Sequence, residues 1–239
     1  MTRKVDPMVD PWVALAAIAM NTARIRLGTT VTPVPRRHPW KLARETVSLD
    51  HLSNGRLILG VGLGEPQEYT PFGQTGDTKV RAAMLDEALE VLTGLWRGKP
   101  FTYAGKHYKI EEQTSFQPPA LQQPRIPIWV GGFWPRKGPF RRAARWDGTI
   151  PLSLDSGSML LKPKDVRAIL AFIQSCRASQ APYDFAVIGW TPGGDPEKAQ
   201  RKVRSFARAG ATWWLESLYL GRDSVEKALA RIHQGPPRI

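Results

Sequence analysis

A single cysteine, Cys176, stands among the 239 residues. No internal disulfide can form from it and no cysteine-based metal cluster is possible, which suits a reducing, cytoplasmic setting. Cys176 sits in the helical apolar pattern "LAFIQSCRAS" and reads as a small core or surface residue rather than a nucleophile. The four histidines, His38, His51, His107 and His233, fall in four different elements. None has the spacing of a metal pair, so no metal site is expected. No G-x-S-x-G elbow occurs and no G-x-x-x-x-G-K-[ST] loop, which sets aside the α/β-hydrolase and P-loop classes. No apolar run is long enough to span a bilayer. "WVALAAIAM" is approached through Asp6 and Asp10, which argues against a signal peptide. Acidic residues are scarce beside basic ones, 21 against 34, for a net charge of +13. Such a charge draws polyanions, phosphorylated cofactors or anionic lipid. Yet the basic residues are spread through well-patterned helices, and no nucleic-acid module signature appears. A solvated basic face is expected, with nucleic acid and membrane not expected as partners.

What is present is an alternation. Asp10-Pro11 reads as an N-cap with proline at N1, opening a helix over 11–21. Residues 25–32, "IRLGTTVT", are β-branched and bounded by Pro33, and read as a strand. The next helix carries Leu42, Val47, Leu49 and Leu52, with Gly55 where a helix stop belongs. "LILGVGLG" (57–64) is nearly all apolar, the mark of a strand buried on both faces. Val80, Met84, Leu85, Ala88, Leu89, Leu92 and Trp96 then fall at helical spacing. Residues 99–126, rich in Pro, Gln and aromatics, break the rhythm and read as an insertion with a hairpin about "YAGKHY". The alternation resumes with "IPIWVGG", "PFRRAARW", "DGTIPLS", a helix at 163–178, "FAVIGWT", a helix with Ala199, Val203, Phe206, Ala207 and Gly210 on one face, "ATWWLESLY", and a helix at 223–234. Six strands each followed by a helix imply a parallel α/β sheet, open and doubly wound or closed as a barrel. The glycine spacing of "GVGLGE" followed by Pro66 makes a dinucleotide fingerprint a poor fit.

In a parallel barrel the chemistry lies at the C-terminal strand ends. Gly131 and Gly132, between a strand and a helix start and followed by Arg136, Lys137, Arg141 and Arg142, are candidates for phosphate binding; a tight turn before a basic helix is the plainer reading. "GVGLGE" puts small residues where a flat ring can lie against backbone. Glu65 at its end is a candidate to hydrogen-bond a ligand or move a proton, or else a charge at a helix N-terminus.

"IRLGTTVTPVPRRHPWKLARETVSLDHLSNGRLILGVGLGE" resembles the core of the luciferase-like monooxygenase family. "FGQTGDTKVRAAMLDEALEVLTGLWRGKPFTYAGKHY", "PPALQQPRIPIWVGG", "RRAARWDGTIPL" and "AGATWWLES" continue the resemblance in order, over roughly residues 10–236. It implies a (β/α)8 TIM-type barrel that binds FMN or the deazaflavin F420 at its C-terminal face. It further implies an oxidoreductase or monooxygenase acting on a small organic substrate, with NAD(P)H as a possible reductant. Thr30 and Val31 match the strand bulge, often with a non-proline cis peptide, that supports the ring. Gly62, Gly64 and Glu65 match the ring-side strand end, with Glu65 as the catalytic residue. Gly131 and Gly132 match the phosphate-binding loop, and residues 99–126 the insertion that shapes the pocket. A homodimer is expected by analogy with the family.

Members begin with a strand, a helix and a second strand before the helix that starts here at Asp10-Pro11, and the second strand ends in a catalytic His or Asp. Nothing in "MTRKVDPMV" supplies these. A single domain over 1–239 is therefore expected to be an incomplete barrel of about six of eight strands. A start codon assigned too late is the favoured account, against a fragment or a partner subunit covering the gap. Beside the enzyme reading stand two others: a non-catalytic flavin-binding remnant and a basic polyanion-binding protein.

Overall fold

The computed structural model describes residues 9–155, 157–218 and 224–237. The expectations placed on "MTRKVDPM" and on Tyr219 lie outside the described residues. The chain divides into two compact units, Met1–Ile128 and Trp129–Ile239.

The first unit opens with α1 (Pro11–Met20), started as its sequence predicts: the Asp10 carboxylate accepts from the Trp12 and Val13 N–H groups, with Pro11 at N1. The expected strand over 25–32 is split into β1 (Leu27–Gly28) and β2 (Thr32–Pro33). Both pair in parallel with β3 (Leu57–Gly62), whose six residues are all buried. Gly28 pairs with Ile58 and Thr32 with Val61. Four steps on one strand thus oppose three on the other, which is a one-residue bulge. Between them lie α2 (Pro39–Leu52) and, after β3, α3 (Thr78–Trp96). Leu42, Val47 and Leu49 of α2 are buried, but Leu52 is exposed: the stripe ends a turn before the helix does. The α3 stripe is buried from Leu85 to Trp96, with the Trp96 indole N–H donating to the Thr46 hydroxyl at 2.9 Å.

The insertion folds as an antiparallel hairpin, β4 (Phe101–Ala104) and β5 (Lys109–Thr114), turning at "GKH". The Glu87 carboxylate on α3 takes the N–H groups of Lys106, His107 and Tyr108 at 3.1, 2.8 and 3.1 Å, which fixes that turn. The rest of the insertion is tied to α2 by Asp50. This fully buried carboxylate accepts from the backbone of Leu121 and Gln122 and from the Gln122 amide.

In the second unit β6 (Ile128–Trp134), β7 (Gly148–Ser153), β8 (Asp184–Gly189) and β9 (Trp213–Glu216) pair in parallel in that order. Helices α4 (Lys137–Ala143), α5 (Pro163–Cys176), α6 (Pro196–Ala207) and α7 (Val225–Gln234) follow them in turn. On α6, Ala199, Val203 and Phe206 are buried as the period requires, while Ala207 and Gly210 are exposed and Ala209 takes the last core place. Among the described residues no helix is long and apolar enough to cross a membrane, and no cluster of three or more His, Cys, Asp or Glu is placed to hold a metal ion.

Candidate functional site

The C-terminal ends of β2 and β3 bring four of the expected residues together. The Thr30–Val31 peptide lies inside the bulge and is cis, as the resemblance implies. The bulge is closed by threonine hydroxyls. Thr29 Oγ1 lies 2.9 Å from the Gly60 carbonyl and 2.8 Å from Thr32 Oγ1. Thr29 has one hydroxyl proton and gives it to the carbonyl, so Thr32 is the donor in the pair. Thr29 and Thr32 are buried, whereas Thr30 is exposed and Val31 half-buried. The run "GTTVT" therefore ties one hydroxyl to the neighbouring strand β3 and the other to that first hydroxyl, and presents Thr30 outward.

Val31 packs on Gly62. A Cβ at Gly62 would sit 2.5 Å from Val31 Cγ2. Gly64 has φ +64°, and a Cβ there would meet Pro33 Cβ at 2.8 Å. Both glycines are thus required by the protein's own close packing at this strand end, independent of any ligand.

Glu65 follows directly and is exposed. Its N–H donates to Glu68 Oε2 at 2.8 Å, and Glu68 is in turn paired with Arg36 at 3.1 Å. Glu65 is thereby fixed at the start of the short 3₁₀ turn Pro66–Glu68, in a capping box with Glu68, and the residue is exposed.

Arg81 holds the same strand end from beneath, and the sequence reading missed it. It is only 2% exposed. Its guanidinium donates to the Leu63 and Gly64 carbonyls at 3.0 and 2.7 Å and lies over the Tyr69 ring. The Tyr69 hydroxyl donates to the same Leu63 carbonyl at 2.6 Å. Burial raises the Tyr69 pKa, with Arg81 opposing that shift. A cation in an apolar-looking helix was the available signal: Arg81 falls at helical spacing with Leu85 and Leu92 on α3.

In the second unit Gly131 and Gly132 are strand residues, not turn residues as expected. They pair with Ile150 and Pro151 of β7, and β6 runs on to Trp134. The turn falls instead at a cis Trp134–Pro135 bond, and Arg136 precedes the first residue of α4. The missing Cβ of Gly132 makes room for Pro139 of α4, which a side chain would meet at 2.3 Å. Both glycines are half-buried.

A model of the luciferase-like monooxygenase family matches residues 2–210. The chain belongs to the luciferase-like monooxygenase family. Among this member's relatives, the F420-dependent glucose-6-phosphate dehydrogenase of Nakamurella multipartita is 35% identical over 131 residues, 54% of this chain and 37% of that protein. The F420-dependent hydroxymycolic acid dehydrogenase of Mycobacterium tuberculosis is 29% identical over 203 residues, 84% of this chain and 49% of that one. The chain thus matches less than half the length of either relative. The structure of the coenzyme F420-dependent tetrahydromethanopterin reductase of Methanopyrus kandleri superposes with a TM-score of 0.74 over 95% of this chain and 87% of that one, at 19% identity. That likeness is one of fold. This family member is an α/β protein of the incomplete (β/α)8 type, with six parallel strands among the described residues when β1 and β2 are taken as one bulged strand.

Proposed function

We propose that this chain serves an F420-dependent oxidoreductase acting on a small organic substrate. The observation that carries the reading is the bulged end of β2 packed through Val31 onto Gly62, with Glu65 three residues further on. It occurs in a family member whose matched relatives bear F420-dependent dehydrogenase names. The strand end suits a flat ring: Thr30 is exposed, Val31 is half-buried, and their backbone is fixed from behind by Thr29 and Thr32.

A bound deazaflavin supplies two-electron hydride chemistry. The chain's own part is to hold it and to manage a proton. Thr30, Val31, Gly62 and Gly64 form the rigid backbone ledge for the ring. Glu65, exposed at the ledge, would hold or accept a proton at its carboxylate. Arg81 keeps the ledge in place by its grip on the Leu63 and Gly64 carbonyls. Within the second unit, taken by itself, the half-buried Gly131 and Gly132 are assigned to binding an anionic group. The +13 charge favours so anionic a ligand. A single catalytic domain, a homodimer and a cytoplasmic setting complete the proposal.

The test is a fluorescence titration of the purified chain with F420 and, separately, with FMN. Saturable F420 binding well below millimolar is expected, with FMN weaker. FMN binding more tightly than F420 moves the assignment to a flavin enzyme that takes its electrons from NAD(P)H. Binding of neither below millimolar sinks the reading.

A further inference from the structure

Beside the ledge the first unit carries a half-open cavity of about 270 Å³. Its polar lining includes Arg36, Arg37, His38, Gln74, Thr75 and Tyr108 beside Tyr69, and no Asp or Glu lines it. The lining is therefore dominated by donors. Two of them carry a buried polar atom that has no partner inside the protein. Tyr108 is 8% exposed and its Oη is buried without a hydrogen-bond partner. Arg37 Nε is in the same condition, and the Arg37 terminal nitrogens stand a loose 3.8 and 3.7 Å from Asp10 and Glu45. Buried polar groups nearly always find partners, so two orphaned donors on one cavity ask for an explanation.

The Tyr108 ring is not free to search for a partner elsewhere. Glu87 clamps its backbone N–H, and Trp40 packs edge-on against the ring at 6.5 Å. Burial pushes its hydroxyl pKa up to about 12, so it remains a neutral donor throughout the physiological range. The Tyr69 hydroxyl, by contrast, is already spent on the Leu63 carbonyl.

We infer that this cavity is a subsite for an oxyanion, a phosphate or carboxylate group carried by a small organic molecule, with Tyr108 Oη and Arg37 Nε as its donors. A guanidinium and a neutral phenol that line one cavity are chemistry that holds such a group, with Asp10 and Glu45 balancing the outer nitrogens of Arg37 and leaving its Nε. The volume is below the usual range for a whole ligand pocket, which suits a head group rather than a tricyclic ring. The inference rests on the proposed function for its meaning: it names the group by which substrate or cofactor is held beside the ledge. The oxyanion comes from one of two sources, a substrate head group or the cofactor's own phosphate.

Inorganic phosphate titrated into the full chain by calorimetry tests this, with wild type, Tyr108→Phe, Arg37→Gln and, as a control outside the lining, Arg208→Gln. Saturable binding to wild type is expected, weakened about fivefold or more in Tyr108→Phe and in Arg37→Gln. Arg208→Gln should bind as wild type does. Tyr108→Phe removes only an unpartnered hydroxyl, so its fold, checked by circular dichroism, should be intact. Equal phosphate binding by wild type and Tyr108→Phe overturns the subsite, as does the absence of saturable binding. Repeating the titration with F420 saturating separates the sources: displacement of phosphate assigns the site to the cofactor, simultaneous binding to the substrate. F420 bound without phosphate overturns this inference alone. Phosphate bound without F420 supports the subsite and sinks the proposed function.

Discussion

Gly62 cannot accept even a methyl group, because Val31 fills the space. Valine is β-branched and stiff at χ1, so it cannot swing aside cheaply. Gly62→Ala should therefore cost about 1–3 kcal/mol in urea unfolding. It should also weaken F420 binding by displacing the ledge. Val31→Ala placed in the Gly62→Ala background should recover part of the lost stability, and a double-mutant cycle that is simply additive would show that the two residues do not press on each other. Glu65 gives the complementary case. Glu65→Gln keeps the backbone hydrogen bond to Glu68 and removes only the ionisable carboxyl. Turnover should fall about 10²–10⁴-fold, with F420 affinity nearly unchanged. A variant that turns over normally removes Glu65 from the proton path. Thr30, Val31 and Glu65 were legible in sequence because they lie within one contiguous stretch whose resemblance is specific. Arg81 and Tyr108 were not. Arg81 reaches back 17 and 18 residues to the carbonyls it holds, and Tyr108 comes to line the same cavity as Arg37 only once the hairpin has folded.

Among the elements, the insertion shows how a loop rich in proline is held. Asp50 on α2 is fully buried and receives three N–H donors from Leu121 and Gln122. Asp50→Ala would strand these donors, for an expected loss of about 2–5 kcal/mol. Denaturation should show it, together with faster proteolysis within 99–126; stability within experimental error of wild type would refute the anchor. Helix α3 offers a pH-dependent counterpart. Asp77 caps it by accepting from Lys79 and Val80 at 2.6 and 3.2 Å, and these bonds hold its pKa below the ordinary carboxylate value. A carboxyl with a depressed folded pKa stabilises the fold above its unfolded pKa, and that contribution is lost as pH falls through the folded one. Asn is an equally good N-cap but does not titrate. The stability difference between wild type and Asp77→Asn should thus be constant from about pH 7 to pH 5 and change against wild type below about pH 4. A difference that is flat throughout would mean that the cap does not titrate with folding. Element boundaries were less legible than elements. β6 runs through Gly131 and Gly132 because its pairing with β7 continues to Trp134, and pairing with a strand 19 residues away leaves no mark on the local pattern.

For the whole molecule, the order of strands and helices followed from two periods alone: unbroken apolar runs such as 57–62 and amphipathic stripes such as that of α3. Periodicity does not say what covers a stripe. The apolar side chains of α7, Val225, Leu229 and Ile232, fall at helical spacing and are all exposed. Charge is the other property of the whole, and it carries the last prediction. A net +13 creates a positive field that reaches about a Debye length, ~10 Å at 0.1 M salt. Helix α6 concentrates part of it in Lys198, Arg201, Lys202 and Arg204. A field of this kind acts on approach more than on the formed complex, so it should raise the association rate of an anionic ligand and leave dissociation largely alone. Stopped-flow fluorescence with F420 should show association slowing about tenfold between roughly 0.02 and 0.5 M salt, with little change in dissociation. FMN, lacking the anionic tail, should show a shallower slope. A polyanion binder would behave otherwise: nucleic acid would bind at least as well as F420, with an affinity falling steeply with salt. An F420 association rate indifferent to salt would detach the basic surface from the cofactor and leave it as a solvated face.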